Sequence, residues 1–320
     1  MNLINEPLIF EPLYKSYIWG GDKIAKLYGR GNTPDICAES WEISAHQHGM
    51  SIVASGTHKG LSLKQLTEQF GATLLGTRTQ NPAEFPLLFK IIDAKRTLSV
   101  QVHPDNQSAD LTNGEPKTEM WYVLDCEPNA ALYAGLRSNT TESELKAALQ
   151  QGAVAELLVQ LEIKSNQALF IPGGLVHAIG SGSLIYEVQQ SSNTTYRLFD
   201  WNRIDENGNP RDLHIKESLQ TINWNLPPAV MTTPSLEHEI ETVISCDLFT
   251  MKRWFFDKRT ELTHDNHSFT ALFAVNGDAV IHCGGVSVQL NHGSSALIPA
   301  SVNKLIIEPD HTVTLLATTV

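Results

Sequence analysis

Short strand-sized runs, each stopped by glycine, asparagine or proline, constrain this chain more than any other feature. "FPLLFKII" (85–92), "MWYVL" (120–124), "ALFIP" (168–172), "SLIYEVQQ" (183–190) and "ALFAVNG" (271–277) are rich in β-branched and aromatic residues. They are too short for stable helices and are bounded by turn formers. Such runs in series predict antiparallel sheets folded into a sandwich or barrel. Helices are the exception. "LSLKQLTEQFGATLLG" sets Leu63, Leu66, Phe70 and Leu74 at helical spacing with Gly76 as a stop. "TESELKAALQQGAVAELL" opens with the capping-box pair Thr141 and Glu144, and "LHIKESLQTI" is a third, shorter candidate.

Domain organisation follows from one proline-rich interval and one repeat. "INWNLPPAVMTTPSLEHE" carries three prolines and reads as a linker near residues 223–238. Beyond it, "VQLNHGSSALIPASVNKLII" (288–307) aligns with "VQLEIKSNQALFIPGGLVHAI" (159–179), given a two-residue gap. The alignment sets His177 opposite Lys304. The expected division is therefore a larger catalytic β unit at 1–225 and a smaller one at 239–320 that has lost a functional histidine.

Composition narrows the function. The chain has 320 residues with 42% apolar content, enough for substantial cores. Its 23 Lys and Arg against 35 Asp and Glu leave a formal charge of −12, which argues against nucleic acid and anionic membrane as partners. A small anionic substrate remains open wherever cations converge. Cys37, Cys126, Cys246 and Cys283 form no C-x-x-C pair and read as reduced thiols. The N-terminal stretch "MNLINEPLIFEPLYKSYIWGG" lacks the basic and apolar regions of a signal peptide. A cytoplasmic location with no obligate protein partner is the expectation.

The chemistry concentrates at strand ends. In "SVQVHPD" alternation puts Gln101 and His103 on one face and Val100 and Val102 on the other, and Pro104 ends the ladder. Glu119 opens the run "EMWYVL", and His177 follows the tight turn Pro172-Gly173-Gly174. An amide oxygen, two imidazoles and a carboxylate suit Zn²⁺ with an open coordination position, and ligand type alone leaves Fe(II) and Mn²⁺ in play. Taken singly, each residue has a plainer reading as a core histidine or a strand-edge carboxylate. Their joint placement beside turns favours a site. His46 and His48 mimic an H-x-H pair without a carboxylate in their motif and read as a loop, as do His264 and His267.

The P-x-G-x-x-H of Pro172 to His177 resembles the second cupin motif, with Asn166 where that motif usually opens on glycine. The series "FPLLFKIIDAKRTLSVQVHPD", "KTEMWYVL", "IPGGLVHAI" and "YEVQQSSNTTYRLFDWNR" resembles the type I mannose-6-phosphate isomerases in their short bacterial form, over roughly residues 10–215. The resemblance implies a mainly β, cupin-type jelly-roll sandwich with a few helices and a smaller degenerate cupin-like domain. It implies one zinc ion held by Gln101, His103, Glu119 and His177, and a small sugar phosphate as substrate. By the same resemblance Arg197 is the catalytic arginine, Lys90, Ser99, Lys117 and Glu187 surround the sugar phosphate, and Trp19 lies near the pocket. Larger family members read K-P-E where this chain has Lys117-Thr118-Glu119.

The implied reaction moves a proton between C1 and C2 of the sugar through an enediol, whose oxyanion needs a cation. Arg197, permanently charged, fits that role. Glu187 is the candidate base, its pKa expected to rise in an apolar-lined pocket, with Lys117 as an alternative for proton transfer. Two other readings compete: an Fe(II) cupin oxygenase, disfavoured by Gln101 and the cationic cluster, and a sugar-phosphate binder without turnover, disfavoured by the retention of Arg197 and Glu187.

Overall fold

The computed structural model describes residues 4–204 and 208–320. The first three residues of the N-terminal stretch quoted above, and residues 205–207, lie outside them. Up to the proline-rich interval the strands are β1 (Leu13–Lys15), β2 (Glu39–His46), β3 (Gly49–Met50), β4 (Leu87–Ala94), β5 (Val100–Val102) and β6 (Glu119–Cys126), followed by β7 (Ala131–Leu136), β8 (Leu158–Glu162), β9 (Ala168–Ile171), β10 (His177–Ile179), β11 (Ser183–Gln190) and β12 (Tyr196–Phe199). They form two facing antiparallel sheets, ordered β1-β2-β4-β11-β6-β9, with β3 on β2, and β12-β5-β10-β7-β8.

The second set is β13 (Ile240–Ser245), β14 (Thr250–Phe256), β15 (Thr260–Thr263), β16 (Thr270–Asn276), β17 (Ala279–Cys283), β18 (Val286–Leu290), β19 (Ser295–Ile298), β20 (Lys304–Pro309) and β21 (Val313–Thr319). Its sheets run β13-β14-β21-β16-β19 and β15-β20-β17-β18. Strand for strand this repeats β2-β4-β11-β6-β9 and β5-β10-β7-β8, so the short sequence repeat belongs to a duplicated topology.

Register makes the comparison residue by residue. Glu119 pairs with Ile171 as Thr270 pairs with Ile298, and His177 pairs with Gln101 as Lys304 pairs with Thr263. Threonines and a lysine therefore stand where the first sandwich has Gln101, Glu119 and His177. The interior of the second sandwich is apolar, with Leu272 and Ala317 cross-paired where the first sandwich pairs Trp121 with Glu187.

The seven-stranded sheet is covered on both faces. Its back face gives Phe89, Ile91, Met120, Tyr122, Tyr186 and Val188 to a core shared with Phe269, Phe273 and Leu316 of the second sandwich. Tyr186 and Phe273 stack with ring centroids 4.3 Å apart. Two-sided burial explains why β4 reads as a near-continuous apolar run rather than a strict alternation. A buried polar latch closes the same junction. Arg30 donates to both oxygens of Glu42 at 2.8 and 3.0 Å and also to the Gly293 carbonyl, while Ser295 donates to Glu42 at 3.2 Å.

The helix expected over 61–76 forms as two, Leu63–Phe70 and Ala72–Leu75, because Gly71 adopts φ 48° and interrupts the ladder. Helix Glu142–Gln151 carries the expected capping box, and Ile215–Thr221 is the third helix anticipated. The interval 223–238 is not a loose tether. Thr232 bridges to Ala168, and Leu226, Ala229 and Met231 pack on the inner core of the first sandwich. Asn166 has φ 70°, the left-handed conformation a motif glycine would supply, and its side-chain oxygen accepts from the Tyr122 hydroxyl at 3.0 Å.

Candidate functional site

Two cross-strand rows face each other inside the first sandwich. On the seven-stranded sheet, Trp41, Lys90, Glu187 and Trp121 lie side by side on β2, β4, β11 and β6. On the opposing sheet Arg197, Gln101 and His177 lie side by side on β12, β5 and β10. Lys90, Glu187, Arg197, Gln101 and His177 are all expected site residues, Trp41 and Trp121 are not, and antiparallel pairing brings the seven together from positions far apart in the chain.

His103, Glu119 and His177 have one donor atom each within 4.8 Å of one another, and all three are buried. Their second contacts fix how they point. His103 Nδ1 sits 2.9 Å from the Thr194 carbonyl and His177 Nδ1 2.8 Å from the Leu175 carbonyl. With those nitrogens donating, both Nε2 lone pairs face inward, the arrangement that metal-binding histidines use. The Gln101 amide nitrogen lies 3.4 and 3.3 Å from the two Nε2 atoms and its Oε1 accepts from Ser99 Oγ at 3.5 Å, so Gln101 borders the trio, and its oxygen faces the trio only when the amide is turned over. Lys117 Nζ is 2.7 Å from Glu119 Oε2 and 2.9 Å from His103 Nε2, while Glu119 Oε1 has no hydrogen-bond donor.

Electrostatics agree with a site prepared for a cation. Burial, then the charges of Lys117 and His177, holds His103 well below the ordinary histidine value, and burial pushes His177 down to about 3. Both imidazoles are therefore neutral. Burial, then the neighbouring Glu187 charge, lifts Glu119 to about 7 despite Lys117. An orphaned carboxylate oxygen and two neutral inward imidazoles fit a divalent metal, which would supply the missing positive charge.

Gln101 and Lys117 separate the trio from a cavity of about 280 Å³, which they line with Trp19, Lys90, Ser99, Glu187 and Arg197, together with Tyr17, Glu39 and Arg211. Lys90 is buried, 3.4 Å from Glu187 and 3.7 Å from Glu39, and its ammonium lies 5.0 Å from the Trp41 ring centroid. Burial opposes its charge, but Glu39, Glu187 and Glu119 outweigh that and keep it protonated. The Trp121 indole N–H donates to Glu187 Oε2 at 2.9 Å.

The expected upward shift of Glu187 does not occur. Burial alone would raise its pKa, but Lys117, Lys90 and the Trp121 hydrogen bond together hold it below the usual carboxylate range. Asp200 pairs with Arg203 and Arg211, whereas Arg197 Nη1 donates to the Asp212 carbonyl at 2.7 Å. Lys95 and Arg96 are exposed, unlike Lys90. His46 has a carboxylate partner after all, Glu115 at 3.1 Å, which also accepts from the Asn193 amide, so it clamps the strap carrying Thr194.

A model of the type I phosphomannose isomerase catalytic domain matches residues 8–151, and one of the mannose-6-phosphate isomerase cupin domain matches residues 239–316. A mannose-6-phosphate isomerase of Bacillus subtilis strain 168 is 36% identical over 318 residues, covering 96% of this chain and 97% of that protein. The chain belongs to the type I phosphomannose isomerase family. Another mannose-6-phosphate isomerase, from Streptococcus mutans, is 33% identical over 302 residues, 93% of each chain. The crystal structure of the mannose 6-phosphate isomerase from Bacillus subtilis superposes with a TM-score of 0.87 at 30% identity, covering 98% of this chain and 99% of that one.

Two residues of this cavity, Glu39 and Arg211, and Trp121 beside it, do not stand out in the sequence. Glu39 lies in "CAESWEISAH", whose alternation marks an inner face but not its neighbour Lys90. Trp121 stands two residues after Glu119, so its inward direction was readable from strand period. Arg211 sits in "NPRDLH", a loop without motif, and nothing local announced it. Among the described residues no helix is long and apolar enough to cross a membrane.

Proposed function

We propose that this protein interconverts mannose 6-phosphate and fructose 6-phosphate, using one zinc ion held by Gln101, His103, Glu119 and His177. The carrying observation is the buried His103, Glu119 and His177 trio lying directly behind Gln101 and Lys117, which line a cavity together with Glu187 and Arg197. Bound there, zinc would supply Lewis-acid polarisation of the sugar's carbonyl and hydroxyl oxygens.

The chain's own groups account for the rest. Glu187 stays ionised between Lys90 and Trp121 and is the proposed base that carries the proton between C1 and C2. Its Oε1 has no hydrogen bond and faces the Lys90 ammonium at 3.4 Å. Arg197, beside Gln101 on the ladder, stabilises the enediol oxyanion as a permanent cation. Lys117, held against Glu119, keeps a proton available at the metal side. Trp19 and Tyr17, stacked with centroids 5.4 Å apart, wall the cavity against water. In the proposed division of labour residues 1–225 carry the reaction, and 239–320 carry none of the ligand positions.

The test is isomerisation of mannose 6-phosphate by purified protein as isolated, after chelation, and after zinc is restored. Activity lost on chelation and recovered with zinc supports reaction and cofactor together. Absence of turnover from folded, metal-loaded protein refutes the proposal.

A further inference from the structure

The cavity holds four cations, but they are not equally free to receive a phosphate. Lys90 lies between Glu187 and Glu39, and Lys117 rests on Glu119. A sugar phosphate carries close to two negative charges near neutrality, and its oxygens need donors whose charge is not already matched.

The arginines differ. Arg197 Nη1 donates to a backbone carbonyl, and its Nε is buried without a partner. Among the described residues the carboxylate paired with Arg211 is Asp200, 3.4 Å away, and Asp200 is shared with Arg203. Arg203 is itself tied down by donating to the Thr97 carbonyl at 2.6 Å. Two guanidinium groups thus share one carboxylate, leaving net positive charge at the rim beside Arg197.

The backbone holds Arg211 where it stands. The Asp212 carbonyl is gripped by Arg197, the His214 amide donates to the Arg197 carbonyl at 2.8 Å, and the Arg197 amide donates to His214 Nδ1 at 3.2 Å. Residues 212–214 are in this way zipped to β12 around Arg197, and Arg211 enters the cavity next to it. Planar guanidinium groups side by side suit bidentate grip of a phosphate monoester.

From this geometry we infer that Arg211 is the phosphate-gripping residue of the cavity, acting with Arg197, while Lys90 and Lys117 serve the reacting end of the sugar. The inference rests on reading the cavity as a sugar-phosphate site. Removing one charge-assisted contact of this kind costs about one to two orders of magnitude in affinity.

In R211Q the KM for mannose 6-phosphate is expected to rise about 10- to 100-fold with kcat within about threefold, and the competitive inhibition constant of inorganic phosphate to rise in step. R211K is expected to recover part of both, as a point charge without the fork. Zinc content and circular dichroism report on folding in each variant. Phosphate binding by calorimetry needs no turnover. Weakened phosphate binding in zinc-loaded R211Q therefore supports the inference even if mannose 6-phosphate proves not to be the substrate. A phosphate affinity unchanged within twofold in folded R211Q overturns it, as does a higher KM with unchanged phosphate inhibition.

Discussion

Trp121→Phe isolates one hydrogen bond at the proposed base. Phenylalanine keeps an aromatic ring beside His177, whose centroid lies 5.4 Å from that of Trp121, but removes the indole N–H that donates to Glu187 Oε2 at 2.9 Å. Because Glu187 Oε1 has no hydrogen bond, the loss leaves the carboxylate with the Lys90 ion pair at 3.4 Å as its nearest support. A hydrogen bond to a buried charged group contributes about 1.5–3 kcal/mol, and one pKa unit is about 1.4 kcal/mol. The Glu187 pKa is therefore expected to rise by about one to two units. The donor stabilised the ionised form, so its removal favours the protonated one, and a protonated Glu187 accepts no proton from the sugar. The acid limb of kcat/KM against pH moves to higher pH by that amount, while zinc content stays at the wild-type level. An acid limb that stays in place, with zinc retained, refutes Glu187 as the titrating base.

The remaining expectations concern metal, junction and pH. His103→Ala removes an inward imidazole; zinc measured by mass spectrometry falls below one per chain and activity drops at least about 100-fold, with far-ultraviolet dichroism retained. Arg30→Met leaves Glu42 buried without its cation and costs about 3–5 kcal/mol in urea unfolding, most of it recovered in the Arg30→Met, Glu42→Leu double variant; a loss below about 1 kcal/mol in the single variant speaks against the latch. Burial pushes Asp93 up to about 6 from its usual value near 3.8. Its contribution to stability is full below about 3.8 and lost as pH rises through about 6. Asp93→Asn is thus expected to gain stability relative to the parent at pH 8 more than at pH 4, by up to about 3 kcal/mol, read as the difference in unfolding midpoints at the two pH values.

Much of the first sandwich was legible because its signals are local. Strand period alone put Gln101 with His103, Thr141 with Glu144 announced a helix start, and the two V-Q-L segments marked a duplication that the topology repeats. Three features were not legible, each because it depends on what packs across the chain. The Glu187 titration turned on Lys90 and Lys117, one paired from the neighbouring strand and one reaching in from a loop. Arg211 gains its place from hydrogen bonds between segments with no motif. The prolines of 223–238 signal a break in regular structure, but Leu226, Ala229 and Met231 decide whether such a segment floats or docks, and sparse apolar residues carry little periodicity. A single left-handed Gly71 likewise split a helix that its apolar spacing presented as continuous.

Strand β11 alternates between two unrelated duties. Glu187 lines the reaction cavity and Ile185 packs in the first sandwich's inner core beside it, whereas Leu184, Tyr186 and Val188 face the core shared with the second sandwich. Neighbouring codons therefore control different properties: one parity of positions sets which sugars react and how fast, the other sets how firmly the halves adhere. A library confined to the first parity can search for new substrates without eroding the adhesive face. Cutting the chain before β13, by contrast, lays bare Phe89, Tyr122 and Tyr186 to water, so the catalytic half freed of its partner is expected to aggregate rather than to act as a smaller enzyme.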